Sequence, residues 1–430
     1  MKKALSVFLM AAMAFGAFAD EPVADVNVAE FSGNAAVTWG VNLDSGKTGF
    51  KNSTEVNLKL NLLKGGTKST TGDGVWGELV LKADGDPIQW QQTAFSDTAF
   101  GANKGMMDGG ALKYKVYVDT AKINFGPAYV GIKSGNTTVG ELKLDTAVRA
   151  DKAWLANKGA NKTDGIVVGF DSDVVKVDVD VRSLPAATQY TDDYGMAAEV
   201  EFKAVENLSV KGGVSYEFAE NGVLAYAASA GYKLALDDTF YVRPQVGITG
   251  VKDADPTLAA SVLFGWGEKK DAHAGVYFVN EEADKKVIPG VSVAVLVPVN
   301  SNSVQIAPSF FSGEIIPGLT AAVDATITTT SVEVLDVKTS TTNTVLDAGV
   351  KYAITADALT ITPQAGLAYK NNTTKIGDDS TSTNNMNMKI GVDVAGLIDN
   401  TTLSTVWTSG ELLDGGVVAG TLNFTAKIAL

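Results

Sequence analysis

The sequence contains no cysteine, a single histidine and, past residue 19, no apolar run approaching the roughly 20 residues that a membrane-spanning helix needs. Each absence removes a class of protein. Without cysteine there are no disulfides, no thiolate metal site, no cysteine nucleophile and no lipid anchor on an N-terminal cysteine. Without a long apolar run, helical membrane spans are excluded. Basic residues are also scarce, with 35 Lys and Arg against 49 Asp and Glu. A chain this acidic is a poor nucleic-acid binder, because phosphate recognition rests on basic patches.

What is present begins with an export signal. Lys2 and Lys3 precede an apolar stretch from Leu5 to Phe18, and Ala17-Phe18-Ala19 offers small residues for a cut before Asp20. This predicts a secretory signal peptide over residues 1–19, too short to anchor in a bilayer. Its removal takes away two Lys and no acids, leaving a formal charge of about −16.

The remainder alternates. Val56, Leu58, Leu60 and Leu62 interleave with Glu55, Asn57, Lys59 and Asn61, and Val175 to Val181 interleave with Lys176, Asp178, Asp180 and Arg182. The same period recurs at Ala35–Leu43, Met196–Phe202 and Met386–Val394, in stretches of about ten residues, the length of a tilted membrane-crossing strand. Successive strand side chains point to opposite faces, so each stretch has one apolar and one polar face. Helical patterning is confined to stretches within Asp84–Gly110 and Asp145–Asn157.

Turn signals stand at Val205-Glu206-Asn207, Leu236-Asp237-Asp238, Ile316-Pro317-Gly318 and Thr355–Ala358, and longer polar connections are expected at Thr328–Thr344 and Asn371–Asn385. Short turns at one end and long loops at the other are the wiring of an outer-membrane barrel. A strict short-long alternation fails between Glu281 and Thr330, which implies a strand missed or invented there. Pro244, Pro308 and Pro363 each continue an apolar face a few residues from a turn, suggesting a bulge near one rim. The last residues, Leu422 to Leu430, form an amphipathic strand suited to sealing a barrel, without the terminal aromatic often found there.

The fold class expected is all-β, a transmembrane antiparallel β-barrel of about 20 strands, within a range of about 16–22. A soluble sandwich or a secreted β-helix shares the alternation. The barrel is favoured by apolar faces over most of the chain, charged opposite faces, and aromatics near strand ends. Those aromatics are Trp39, Tyr216, Phe218, Tyr226, Trp266, Tyr352, Tyr369 and Trp407, placed to form interfacial girdles. Residues 20–430 are expected to be one barrel; the alternative is an N-terminal β region over 20–190 followed by a barrel over 191–430.

The stretch Gly33–Lys51, with Trp39-Gly40, Leu43-Asp44, Gly46 and Gly49-Phe50, resembles the major outer sheath (major surface) proteins of treponemes, as does Gly72–Lys82. The likeness is closest over about the first 90 residues. It implies a surface-exposed outer-membrane porin, commonly trimeric, often with adhesion to host matrix proteins. Accounts of a periplasmic N-terminal portion in that family sit poorly with N-terminal strands that alternate as cleanly as the C-terminal ones.

No catalytic set and no cofactor site emerges. His273 has the neighbours of a strand start. The acidic pairs Asp171/Asp173, Asp253/Asp255 and Asp378/Asp379 lack the Gly and distal Glu of an EF-hand loop, and Gly72-Asp73-Gly74 lacks the continuation of a phosphate loop. If the apolar faces meet lipid, Glu55, Lys59, Lys176, Asp178, Asp180, Arg182, Glu199, Glu201, Lys203 and Lys389 look into the lumen. The expectation is a passive pore for small hydrophilic solutes with a mild cation preference. The rivals are a surface-displayed adhesin or antigen barrel with little conductance, and a secreted soluble β-protein. Whether Asp84–Gly110 plugs the lumen is left open.

Overall fold

Strands with one apolar and one charged face need a sheet whose two sides meet different media, and a backbone in lipid tolerates no open edge. The computed structural model meets both demands. It describes residues 29–63, 75–86, 113–133, 141–148, 152–156, 165–183, 194–218, 222–268, 278, 286–334, 337–413 and 419–429.

The N-terminal strands are β1 (Ala29–Asn42), β2 (Thr48–Leu63), β3 (Val75–Asp86), β4 (Lys113–Phe125) and β5 (Ala128–Lys133). A two-stranded hairpin of β6 (Glu141–Leu144) and β7 (Lys152–Ala156) follows, outside the main sheet. The sheet resumes with β8 (Gly165–Asp171), β9 (Val175–Ser183), β10 (Tyr194–Phe202), β11 (Leu208–Phe218), β12 (Leu224–Tyr232) and β13 (Leu234–Ala235). Next come β14 (Tyr241–Val251), β15 (Thr257–Gly265), β16 (Gly290–Pro298), β17 (Ser303–Phe311) and β18 (Leu319–Val334). The last are β19 (Val337–Tyr352), β20 (Ile354–Ala356), β21 (Leu359–Ile376), β22 (Asp379–Ala395), β23 (Thr401–Thr408) and β24 (Thr421–Ala429).

Every sheet neighbour pairs antiparallel, and β24 returns to β1 from Asn34↔Ala429 to Asn42↔Thr421, so the sheet closes. Of its 22 strands, β13 and β20 merely continue β12 and β19, which leaves twenty staves. Strands β1 to β5, β8 and β9 share that sheet with the C-terminal half.

Proline explains both interruptions. Register runs Gly231↔Gln245 before the break and Leu234↔Val242 after it, so Tyr232 stands opposite Pro244. It likewise runs Lys351↔Gln364 and then Ile354↔Ile361 across Pro363. Pairing of β17 with β18 lapses beside Pro308 and resumes unshifted. A residue without an N–H leaves a rung missing. The expected bulge is therefore corrected: each proline makes a gap in the ladder and shifts no register.

All four turn signals fall at one end of the barrel, where Asn207, Asp357 and Gly318 take positive φ. Gly318 also packs against the Ala353 carbonyl too closely to admit a Cβ. Three other expectations are corrected. The polar stretches Thr328–Thr344 and Asn371–Asn385 are paired hairpin ends of β18–β19 and β21–β22, because Thr and Asn side chains bond across the strands: Thr329 to Thr342 at 3.3 Å, Asn371 to Ser382 at 3.2 Å. Among the described residues between Glu281 and Thr330 the strands are β16, β17 and the first part of β18, and β15 ends and β16 begins at the short-turn end. The described residues of the patterned stretch beginning at Asp145 hold no helix: 145–148 form an inward loop and 152–156 are β7.

The outer face carries the apolar set. Ile166, Val246 and Phe31 are 58%, 59% and 57% exposed, while their opposite-face neighbours Val167 and Gln245 are buried. On β18 that outer face is apolar from Leu319 to Ile327 and turns polar at Thr329. Nine residues at about 3.3 Å each, tilted by about 40°, span roughly 23 Å, close to the height of a lipid-facing belt. Stacked Trp39 and Phe424, 5.4 Å apart, seal the β1–β24 seam, and Phe240, Phe264, Trp266 and Phe310 cluster at the turn-end rim.

Candidate functional site

Cross-strand partners share a face, so one residue known to point inward fixes the rest. Gln245 is such a residue, because it meets the loop folded into the barrel. From it the register leads through Ser261, Ala294 and Ser292 to Ser309, Asp324 and Asp347. In the other direction it leads through Gly231 and Ser209 to Lys211, Glu201 and Lys176.

The two halves of this inner wall differ in chemistry. On β2 to β11 it is charged: Lys59 pairs with Glu78 at 3.3 Å, Lys82 with Asp119 at 3.2 Å, Lys176 with Asp178 at 3.2 Å and Lys211 with Glu201 at 3.3 Å. Lys122 lies 3.6 Å over the Tyr129 ring, which itself packs on Gly169, where a Cβ would overlap it. On β14 to β18 large apolar side chains share the wall with Gln245, Ser261, Ser292, Ser309 and Asp324. Leu263, Phe311 and Ala322 join Ala147, Val148, Phe278, Val287 and Ile288 in one buried cluster, and Ala259, Ala294, Leu296 and Ala307 join Leu144 in another.

Two inward elements cover that apolar half. The loop after β6 enters from the end opposite the short turns. Gln245 holds it like a peptide: its Oε1 accepts the Asp145 N–H at 3.0 Å and its Nε2 donates to the Asp145 carbonyl at 2.9 Å. Arg243 pairs with the Asp145 carboxylate, and Ser292 Oγ accepts the Ala147 N–H at 3.0 Å. The second comprises Phe278, Val287 and Ile288, which lie between β15 and β16 and join the buried cluster. The Ile288 N–H donates to the Ala147 carbonyl at 2.8 Å, joining the two elements inside the barrel. Across the lumen, Lys389 Nζ donates to the Phe278 carbonyl at 3.5 Å.

The expected lumen residues distribute as follows. Register from Gln245 puts Glu201, Lys176, Asp178, Asp180 and Glu199 on the inner wall, and Lys59 joins them through Glu78 and Lys122. Glu55 accepts from Asn57 at 3.1 Å on the same face. Arg182 is a β9 residue paired with Gly195 and Gly165. Lys203 lies just past β10, bonded to Asp171 at 2.6 Å, which makes it a turn-end residue. Lys389 is the one that reaches an inward element. His273 and residues 87–110 lie outside the described residues, so neither a role for that histidine nor a plug from that segment is addressed.

Sequence reading missed Asp145, Arg243, Gln245 and Ser292. One signal was available: Arg243 and Gln245 alternate with Val242, Pro244 and Val246 on a strand otherwise poor in charge. Beside them an open cavity of about 480 Å³ is lined by residues that include Lys211, Lys233, Tyr241, Arg243, Glu201 and Glu268.

No family model matches the chain. Among curated proteins it is 30% identical to the major surface protein MspTL of Treponema lecithinolyticum, over 95% of this chain and 93% of that one. It is 27% identical to the major outer membrane protein MspA of Treponema maltophilum, over the full length of both. Among solved structures, OpdQ of Pseudomonas aeruginosa aligns with 94% of this chain and 98% of its own, at 10% identity and a TM-score of 0.45. A trimer form of OmpT of Vibrio cholerae aligns over 94% and 100% at 9% identity and 0.36. A closed antiparallel barrel with an apolar belt is an outer-membrane architecture. With 30% identity to MspTL along almost its whole length, the chain belongs to the treponemal major surface protein family.

Proposed function

We propose that the barrel, freed of residues 1–19, is a passive diffusion pore for small hydrophilic solutes, non-enzymatic and mildly cation-preferring, with its short turns in the periplasm. One observation carries the reading. The paired charges of the inner wall stay partly exposed inside the barrel: the Lys59 and Glu78 side chains are 31% and 21% exposed, and those of Lys176 and Asp178 are 35% and 22% exposed. Charges held this way need water beside them, so this wall suits an aqueous lumen. Residues 20–430 act as one barrel in this reading, and assembly as a homo-oligomer, a trimer by family resemblance, is expected from cross-linking of intact cells. The lining residues are the ten expected ones, with Lys203 at the periplasmic mouth.

Liposome swelling tests it. Vesicles carrying the refolded chain should swell in small sugars and progressively less in larger ones. Absence of swelling with inserted, folded protein would favour the second reading, a display barrel whose hairpins β18–β19 and β21–β22 meet the host surface. The junction of the two inward elements at Ala147 and Ile288 is what speaks for that alternative. Reversal potentials in a salt gradient check the cation preference, and anion selectivity would remove it.

A further inference from the structure

The cavity beside the inward loop has an unusual charge arrangement. Register places Lys233 opposite Arg243, midway between the pairs Gly231↔Gln245 and Leu234↔Val242. Like charges directly opposed on one face destabilise a sheet unless something answers them. Asp145 answers Arg243, and Glu201 answers Lys211. Among the described residues, Lys233 has only the Tyr241 ring, 4.4 Å from its Nζ. Arg243 still has its Nε–H buried without an acceptor. At the far end of the same tyrosine, the hydroxyl donates to the Gly267 carbonyl at 3.1 Å, which brings the next residue, Glu268, to the cavity wall. Of the charged residues lining the cavity, two stand outside these pairs: Lys233, over the Tyr241 ring, and Glu268, next to the Gly267 that accepts from the Tyr241 hydroxyl.

We infer that this cavity is a binding subsite for small zwitterions carrying a carboxylate and an ammonium, the chemistry of a free amino acid. The inference deepens the pore reading and rests on it for its place in transport. The carboxylate takes Lys233, and the ammonium takes Glu268. A simple anion would leave Glu268 unanswered and a simple cation would leave Lys233 unanswered, so each half alone binds less well. About 480 Å³ admits an amino acid with several waters, within the range of small-molecule sites.

Binding is measured without conduction, by saturation-transfer NMR on the full mature chain folded in detergent, with L-alanine, acetate and methylammonium as probes. L-Alanine should give transfer well above either single-charge probe. Lys233→Gln and Glu268→Gln should each weaken L-alanine binding about tenfold, the order of one charge-assisted hydrogen bond, and Lys233→Arg should restore most of it. Folding of each variant is verified by its heat-modifiable gel mobility. Equal transfer from acetate and L-alanine, or unchanged L-alanine binding in both Gln variants, overturns the inference. Failure of the pore reading would show separately, as protein that binds L-alanine yet does not swell liposomes.

Discussion

At the scale of single residues, the decisive group is Arg243. It stands on the inner wall of β14, paired with Asp145 from the inward loop and next to Gln245, which grips the same residue's backbone. Removing one member of a largely buried pair leaves the other uncompensated, typically at about 3–5 kcal/mol. Here the penalty falls on the loop, because the β14 ladder needs no Arg243 side chain. Arg243→Ala should therefore leave the barrel folded but loosen the loop, giving noisier and larger single-channel currents and faster proteolysis within 134–164. Unchanged current noise would mean that the loop is held by its apolar contacts alone. A common face for Lys59, Lys176, Asp178, Glu199 and Glu201 was legible in the sequence, because period-two alternation assigns a face to each; that this face lines a pore is the proposal. Asp145 and its partners were not, because sequence separations near 100 residues leave no local trace.

Elements show the same division. Strand count and turn positions could be read from alternation and turn chemistry, which are local. Where the polar hairpin ends stop being strand was misread, because Thr- and Asn-rich sequence resembles loop until cross-strand partners such as Thr329 and Thr342 are known. Two consequences concern elements. Deleting residues 421–430 removes β24 and with it the pairing to β1, so two edges open; no heat-modifiable folded species should form. At the turn end, the Asp171 hydrogen bond holds Lys203 above the ordinary lysine pKa of 10.5. A raised folded pKa gives stabilisation that is complete below the ordinary value and lost as pH rises through the raised one. Lys203→Met should cost under about 1 kcal/mol at neutral pH, as suits a solvent-screened pair, and nothing at strongly alkaline pH. Thermal unfolding in detergent at the two pH values checks both halves of that statement.

At the scale of the whole molecule, twenty staves enclose a lumen that is charged on one side and packed on the other. The apolar half explains how a barrel of this girth fills part of its interior without disulfides: large side chains such as Leu263 and Phe311 contribute about 1.5–3 kcal/mol each when fully buried. In the proposed pore, the charged half is left for water and solutes. The central question is whether that half conducts. Single-channel recording of the refolded mature chain in a planar bilayer asks this directly. Stepwise openings, smaller than an empty twenty-stave barrel would give and enlarged by Arg243→Ala, are the predicted result. A folded, inserted chain that stays electrically silent, with and without that substitution, would contradict it.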